Sequence, residues 1–355
     1  MDSKRKNLIL PHTLRMVAWE VTRSCNLSCM HCRASSEYGP YEGEFSTERC
    51  YALLDDIVSV GNPVIILTGG EPYMRDDIFD IAAYGDRKGL RMVLATNGTL
   101  VTEEIAEKTR DAGIQRISIS LDGPDAESHD SFRGVKGAFD GSLKGIEHFK
   151  RAGVEFQINT TITRLNLHQI GDILNLAIEL GAVAHHIFLL VPTGRARDMA
   201  DQEIAAADYE AALNWFYEES MTCPVQLKAT CAPQYYRIFH QRRKERKGDA
   251  GRADNPFHSM TRGCMGGSSF CFISHTGQIQ PCGFLEIDCG QLNEKSFREI
   301  WNESPVFQDL RDLSRYGGKC GKCEFIRVCG GCRARAYEMT GDYLAGEPFC
   351  VYEPG

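Results

Sequence analysis

The stretch Arg110-Asp-Ala-Gly113-Ile-Gln-Arg-Ile-Ser-Ile-Ser-Leu121 decides the fold class. A helical pattern ends at Gly113, where glycine suits the left-handed backbone that terminates a helix. An apolar, β-branched run follows at once, as a buried strand requires. The plan occurs five times: the glycines are Gly61, Gly89, Gly113, Gly153 and Gly181, and the runs after them are residues 63–67, 90–95, 114–121, 154–161 and 184–191. Ser46 is placed to cap a helix whose apolar face includes Leu53, Leu54, Ile57 and Val58. With the run 15–21 in front, six strands alternate with helices. This predicts an α/β fold, a parallel sheet closed or partly closed into a six-stranded (β/α) barrel. Ligands of such folds sit at the carboxyl ends of the strands.

After about residue 200 the pattern changes. A helix over 208–219 leads into a glycine-, cysteine- and proline-rich tail with few long helices. The expected division is an N-terminal tail over 1–13, the barrel over 14–220 and a smaller cysteine-rich domain over 221–355. The basic run 241–247 reads as a solvated helix face.

Composition bounds the rest. The 355 residues are 43% hydrophobic and 25% charged, ordinary for a globular chain. A formal net charge of −8 argues against nucleic acid as the main partner. No apolar run approaches the roughly 20 residues of a membrane span, and the first residues lack a secretory h-region. A cytoplasmic protein with no membrane partner is expected. Fifteen cysteines in short spacings then point to metal rather than disulfides.

Cys25, Cys29 and Cys32 follow the first strand with three and then two residues between them. Three thiolates suit a four-iron cluster with one iron left open, and that iron can chelate S-adenosylmethionine (SAM). The bland alternatives are a zinc knuckle, which wants four ligands, or three buried thiols. Cys25-Asn-Leu-Ser-Cys29-Met-His31-Cys32 resembles the signature of the radical SAM superfamily, and Gly69-Gly70-Glu71-Pro72 after the second strand resembles that family's motif for the methionyl amino group. The resemblance implies that Gly69, Gly70 and Glu71 bind SAM, with Ser120 and Asp122 at its ribose and Arg164 at its carboxylate. Asn97-Gly98 reads equally as a cofactor contact or a turn.

The tail carries Cys264, Cys271, Cys282, Cys320, Cys323, Cys329, Cys332 and Cys350, the number that two four-thiolate clusters require. Paired zinc ribbons are the alternative. The run from Cys264 through Gly277 to Cys282 resembles the SPASM domain. By that resemblance, Cys264, Cys271, Cys282 and Cys332 hold a first auxiliary [4Fe-4S] cluster, and Cys320, Cys323, Cys329 and Cys350 a second. Only two residues, Gly330 and Gly331, precede Cys332 where that family usually has three, which leaves the division open. Cys50, Cys223, Cys231 and Cys289 are expected to have no metal role, with Cys231 the spare thiol to watch.

Several stretches, among them residues 14–24, 188–195, 228–236, 271–277 and 329–337, resemble the AdoMet-dependent heme synthases of the siroheme-derived haem pathway. The resemblance implies oxidative decarboxylation of two propionates of iron-coproporphyrin III to vinyls, an iron-porphyrin substrate and an external low-potential electron donor. Arg195, Lys228 and Arg237 are candidate propionate clamps, Arg197 a further one, and His185, His186 and His275 candidate iron ligands. The alternatives are a related tetrapyrrole deacetylase or peptide maturase, or a non-catalytic iron–sulfur electron carrier.

Overall fold

The computed structural model describes residues 8–245 and 262–355. All six expected strands form: β1 (Met16–Thr22), β2 (Val64–Gly69), β3 (Arg91–Thr96), β4 (Arg116–Ser120), β5 (Phe156–Ile162) and β6 (Ala184–Leu189). Each pairs in parallel with the next. The helices between them are α1 (Thr47–Val60), α2 (Ile78–Arg87), α3 (Glu103–Asp111), α4 (Ala126–Arg133), α5 (Ala138–Ala152) and α6 (Ile170–Leu180). Gly89, Gly113, Gly153 and Gly181 have φ of +74° to +81°, the predicted left-handed terminators. Gly61 instead is extended, with φ 172°. Ser46 caps α1 by accepting from Arg49 N, and Leu53, Leu54 and Ile57 are buried while Val58 is 38% exposed.

The sheet runs past the expected boundary at 220. After α7 (Ala206–Glu219), strand β7 (Gln226–Thr230) adds in parallel to β6, and α8 (Gln234–Glu245) follows it. Strand β8 (Phe270–Ile273), from the cysteine-rich segment, adds in parallel to β1 on the other side. β9 (Gln278–Gln280) and β10 (Gly290–Gln291) continue antiparallel. The order β10-β9-β8-β1-β2-β3-β4-β5-β6-β7 leaves the sheet open at both edges, a partial barrel. β7 and β8 lie beyond the last helix–glycine–strand repeat, so periodicity alone does not reveal them. Residues 8–10 also join the tail, through Leu10 N to Arg311 O at 2.8 Å. The basic run keeps its exposed face over 243–245, and residues 246–247 lie outside the described residues.

Alternation in the strands separates two environments. Val17, Trp19, Ile65, Leu67, Ile117 and Ile119 face the helices and form the main core. The opposite face carries polar groups: Glu20 on β1, Gln157 and Asn159 on β5, His186 on β6. Gln157 Nε2 bridges Asn159 Oδ1 and His186 Nδ1, both at 2.9 Å. Among the described residues, no helix is long and apolar enough to cross a membrane.

Candidate functional site

The triad loop leaves the carboxyl end of β1. Cys25, Leu27, Cys29 and Cys32 pack together against Val135 and Ala138. Backbone amides point at the sulfurs: Leu27 N donates to Cys25 Sγ at 3.4 Å and Ser36 N to Cys32 Sγ at 3.3 Å. Arg133 Nη1 donates to Cys29 Sγ at 3.6 Å. Burial pushes the Cys25 thiol up to about 12 and raises Cys29 as well. Thiols so placed become anionic ligands only when a cation compensates them, which suits a metal centre. His31 packs against Phe132, ring centroids 4.4 Å apart and planes tilted by 42°.

The glycine pair explains itself by contact. A Cβ on Gly69 would meet Thr22 O at 2.1 Å, and one on Gly70 would meet Ser24 O at 2.2 Å. Only bare backbone lets the end of β2 lie against the triad loop. Gly70 N and Glu71 N donate there, to Thr22 O and Ser24 O at 2.9 and 2.8 Å. Glu71 is fully buried and accepts from Tyr73 N, Thr96 Oγ1 and Asn97 N. Its carboxylate thus locks the loops after β2 and β3 together. Gly98, at φ +82°, makes the turn, and Asn97 Nδ2 reaches Asn26 Oδ1 at 2.9 Å, inside the triad loop.

Other expected site residues fall differently. Ser120 and Arg164 stand at the ends of β4 and β5, half-buried and exposed. Asp122 is 1% exposed, pairs with Arg133 and accepts from Thr161 N at 2.7 Å, so its carboxylate is committed internally. Arg195 braces the triad loop, donating to Cys29 O at 2.9 Å and Ser36 O at 2.8 Å. Arg237 is buried, pairs with Glu210 and donates to Gln241 Oε1. Arg197 is exposed between Glu286 and Glu338. Lys228, half-buried and opposite His186 in the sheet, makes no hydrogen bond or ion pair among the described residues, and burial lowers its pKa. His185 bonds Thr160 Oγ1 at 2.9 Å, and burial holds it neutral, down at about 4.

Two charged groups escape sequence reasoning. Arg133 joins Cys29 to Asp122; only its place at the end of the helix after β4 hints at it. Glu20, wholly buried, accepts from Arg33 Nη2 at 2.7 Å and Arg23 Nε at 3.1 Å, and His275 Nδ1 lies 2.7 Å away. His275 is therefore committed to a carboxylate.

The tail thiols gather in two places. Cys320, Cys323, Cys329 and Cys350 line one small cavity with Arg237 and Glu347, and Arg333 Nη2 donates to Cys320 Sγ at 3.5 Å. Cys264, Cys282 and Cys332 act on one another electrostatically as a second group. Cys271 is not brought to them. It lies in the helix-facing core, where its titratable neighbours are Cys289 and Arg311. Period-two alternation is the cause: Cys271 and Ile273 turn to the core, while Phe272 turns inward under Arg33, 4.4 Å from its ring centroid. Among the described residues, no three of His, Cys, Asp or Glu are drawn tightly enough to hold a single ion. A four-iron cluster asks for a different spacing, one thiolate to each of several irons.

The radical SAM superfamily matches residues 19–177, and an iron–sulfur cluster-binding domain, SPASM, matches 264–333. The AdoMet-dependent heme synthase of Nitratidesulfovibrio vulgaris is 58% identical over 343 residues, covering 96% of this chain and 93% of that protein. The AdoMet-dependent heme synthase of Methanosarcina barkeri is 52% identical over 341 residues, covering 96% and 97%. The fold is also that of Streptococcus suis SuiB bound to precursor peptide SuiA, with a TM-score of 0.74 at 17% identity over 97% of this chain and 77% of that one. Identity of this extent, in a chain that carries the triad after its first strand and gathers the thiols of its tail, places the chain in the family of AdoMet-dependent heme synthases, radical SAM enzymes that use SAM and iron–sulfur clusters.

Proposed function

We propose that the chain converts iron-coproporphyrin III to haem b by oxidatively decarboxylating two propionates to vinyl groups. The observation that carries the reading is the 58% identity along 96% of the chain to an AdoMet-dependent heme synthase. SAM at a reduced four-iron cluster, when bound, supplies hydrogen abstraction from an unactivated carbon.

The chain's own residues hold and orient. Cys25, Cys29 and Cys32 would hold a four-iron cluster through three of its irons, leaving the fourth for SAM. Gly69 and Gly70 keep side chains out of the loop contact there, and Glu71 fixes it. Ser120 and Arg164 are the contacts for the ribose and carboxylate. Lys228 is the cation best placed for a propionate, because Arg195 and Arg237 are already engaged.

Each propionate loses carbon dioxide and one hydrogen atom, leaving a single electron to be removed. An auxiliary cluster held by the tail thiols would take that electron, the thiols being enough for two such clusters, and an external low-potential donor would reduce the front cluster. Fifteen unpaired cysteines support a reducing, cytoplasmic setting.

The test is anaerobic reconstitution, reduction and incubation with SAM and iron-coproporphyrin III, with porphyrins followed by mass spectrometry. Loss of two carboxyl groups with matching 5′-deoxyadenosine is expected. 5′-Deoxyadenosine with an untouched porphyrin overturns the substrate and favours another SPASM-type reaction. No SAM cleavage at full iron load favours the electron carrier.

A further inference from the structure

We propose that Cys231, and not Cys271, is the fourth thiolate of the first auxiliary cluster. The proposal rests on the family's iron–sulfur clusters and not on the porphyrin reading. Cys231 packs with Cys282 and Cys332 against Val191, Leu285 and Ala334. The thiols acting on its sulfur are Cys332, Cys282 and Cys264, the three that Cys271 fails to join. The chain before Cys264 also lies directly on the chain after Cys231, since a Cβ at Gly263 would meet Pro233 Cβ at 2.5 Å.

The backbone carries a second sign. Among the described residues, Ser35 and Cys231 are the non-glycine positions with positive φ, +49° and +55°. Such a conformation is strained for a residue with a Cβ and persists where surrounding contacts impose it. Here the Cys231 carbonyl is pinned by Tyr209 Oη at 3.0 Å and Arg335 Nη1 at 3.2 Å. Arg335 also donates to Leu190 O at 2.9 Å, just beyond β6. Ser35 and Cys231 thus both stand at a thiol group, one beyond Cys32 and the other a ligand itself.

The consequence concerns where the cluster sits. Cys231 directly follows β7, as the triad loop follows β1, so both leave the carboxyl edge of one parallel sheet. With Cys231 as ligand, the first auxiliary cluster is tied to the barrel mouth rather than only to the tail.

The full-length protein, reconstituted anaerobically, tests this by iron and sulfide per chain and by electron paramagnetic resonance after reduction. Cys231→Ala is expected to lose about four irons and one resonance, and Cys271→Ala to keep the full load. Full iron in Cys231→Ala, or loss confined to Cys271→Ala, overturns the assignment. If both lose iron, Cys231→Ser and Cys271→Ser decide, because a serine oxygen ligand shifts the resonance of the cluster it binds. A shift in Cys231→Ser alone upholds Cys231; a shift in Cys271→Ser, or in neither, overturns it. These readouts need no porphyrin, so they stand or fall apart from the proposed reaction.

Discussion

The two cysteine regions use the chain in opposite ways. At the front, three thiols fit within eight residues, and two of them take amide hydrogens from residues two and four positions on. In the tail, one cavity draws Cys320, Cys323, Cys329 and Cys350 together, and Glu347 stitches it to the other thiol group by accepting from Cys332 N at 2.6 Å while its own N donates to Cys320 Sγ at 3.3 Å. A local loop specifies its own site; a dispersed one depends on the whole fold being formed. Cys29→Ala should therefore abolish SAM cleavage and product alike while removing only about four irons. Cys320→Ala should keep SAM cleavage but lose vinyl formation, the two being compared by 5′-deoxyadenosine and porphyrin yields. Loss of both activities in Cys320→Ala would break the separation of roles.

That difference also governs what can be read from the chain alone. The repeated helix–glycine–strand pattern yields six strands in order, because each apolar run and its terminator are adjacent. Gly61 departs because α1 ends in extended chain, not a left-handed turn. β7 and β8 are invisible to that pattern, since each lies beyond its last repeat and joins the sheet only through its tertiary partner. Cys271 stands apart from the other tail thiols for a related reason. Its spacing fits a ligand, but its strand parity sends it into the core. Arg133 and Glu20 were unreadable because a buried charge is explained only by its partner, and those partners come from other segments.

The front region holds a sharper contrast inside itself, and Arg133 tests it. Its guanidinium is buried between Asp122 and Cys29. Removing one member of a buried ion pair costs about 3–5 kcal/mol, because the other is left uncompensated. Arg133→Met should lower stability by that order in urea denaturation of the cluster-free chain. The double variant with Asp122→Asn should recover part of the loss, since the stranded charge is gone. No recovery would mean that the arginine serves Cys29 and not Asp122.

Glu20 and Glu71 are both wholly buried carboxylates near the triad, yet their neighbours push them apart. Burial would raise both. Glu71 has only neutral donors bonded to it and stays raised, at about 7. At Glu20, Arg33, the hydrogen bond with His275 and Arg23 outweigh burial and hold the carboxyl down at about 2. A carboxyl depressed from 4.5 contributes stability that is fully present above pH 4.5 and lost as pH falls through 2. At 1.36 kcal/mol per pKa unit the contribution is about 3 kcal/mol. Glu20→Gln should therefore flatten the acid limb of the stability curve between pH 4.5 and 2, while Arg33→Met should steepen nothing and shift that limb to higher pH. An unchanged acid limb in Glu20→Gln would show that the arginine pair at the barrel mouth is balanced by some other carboxylate.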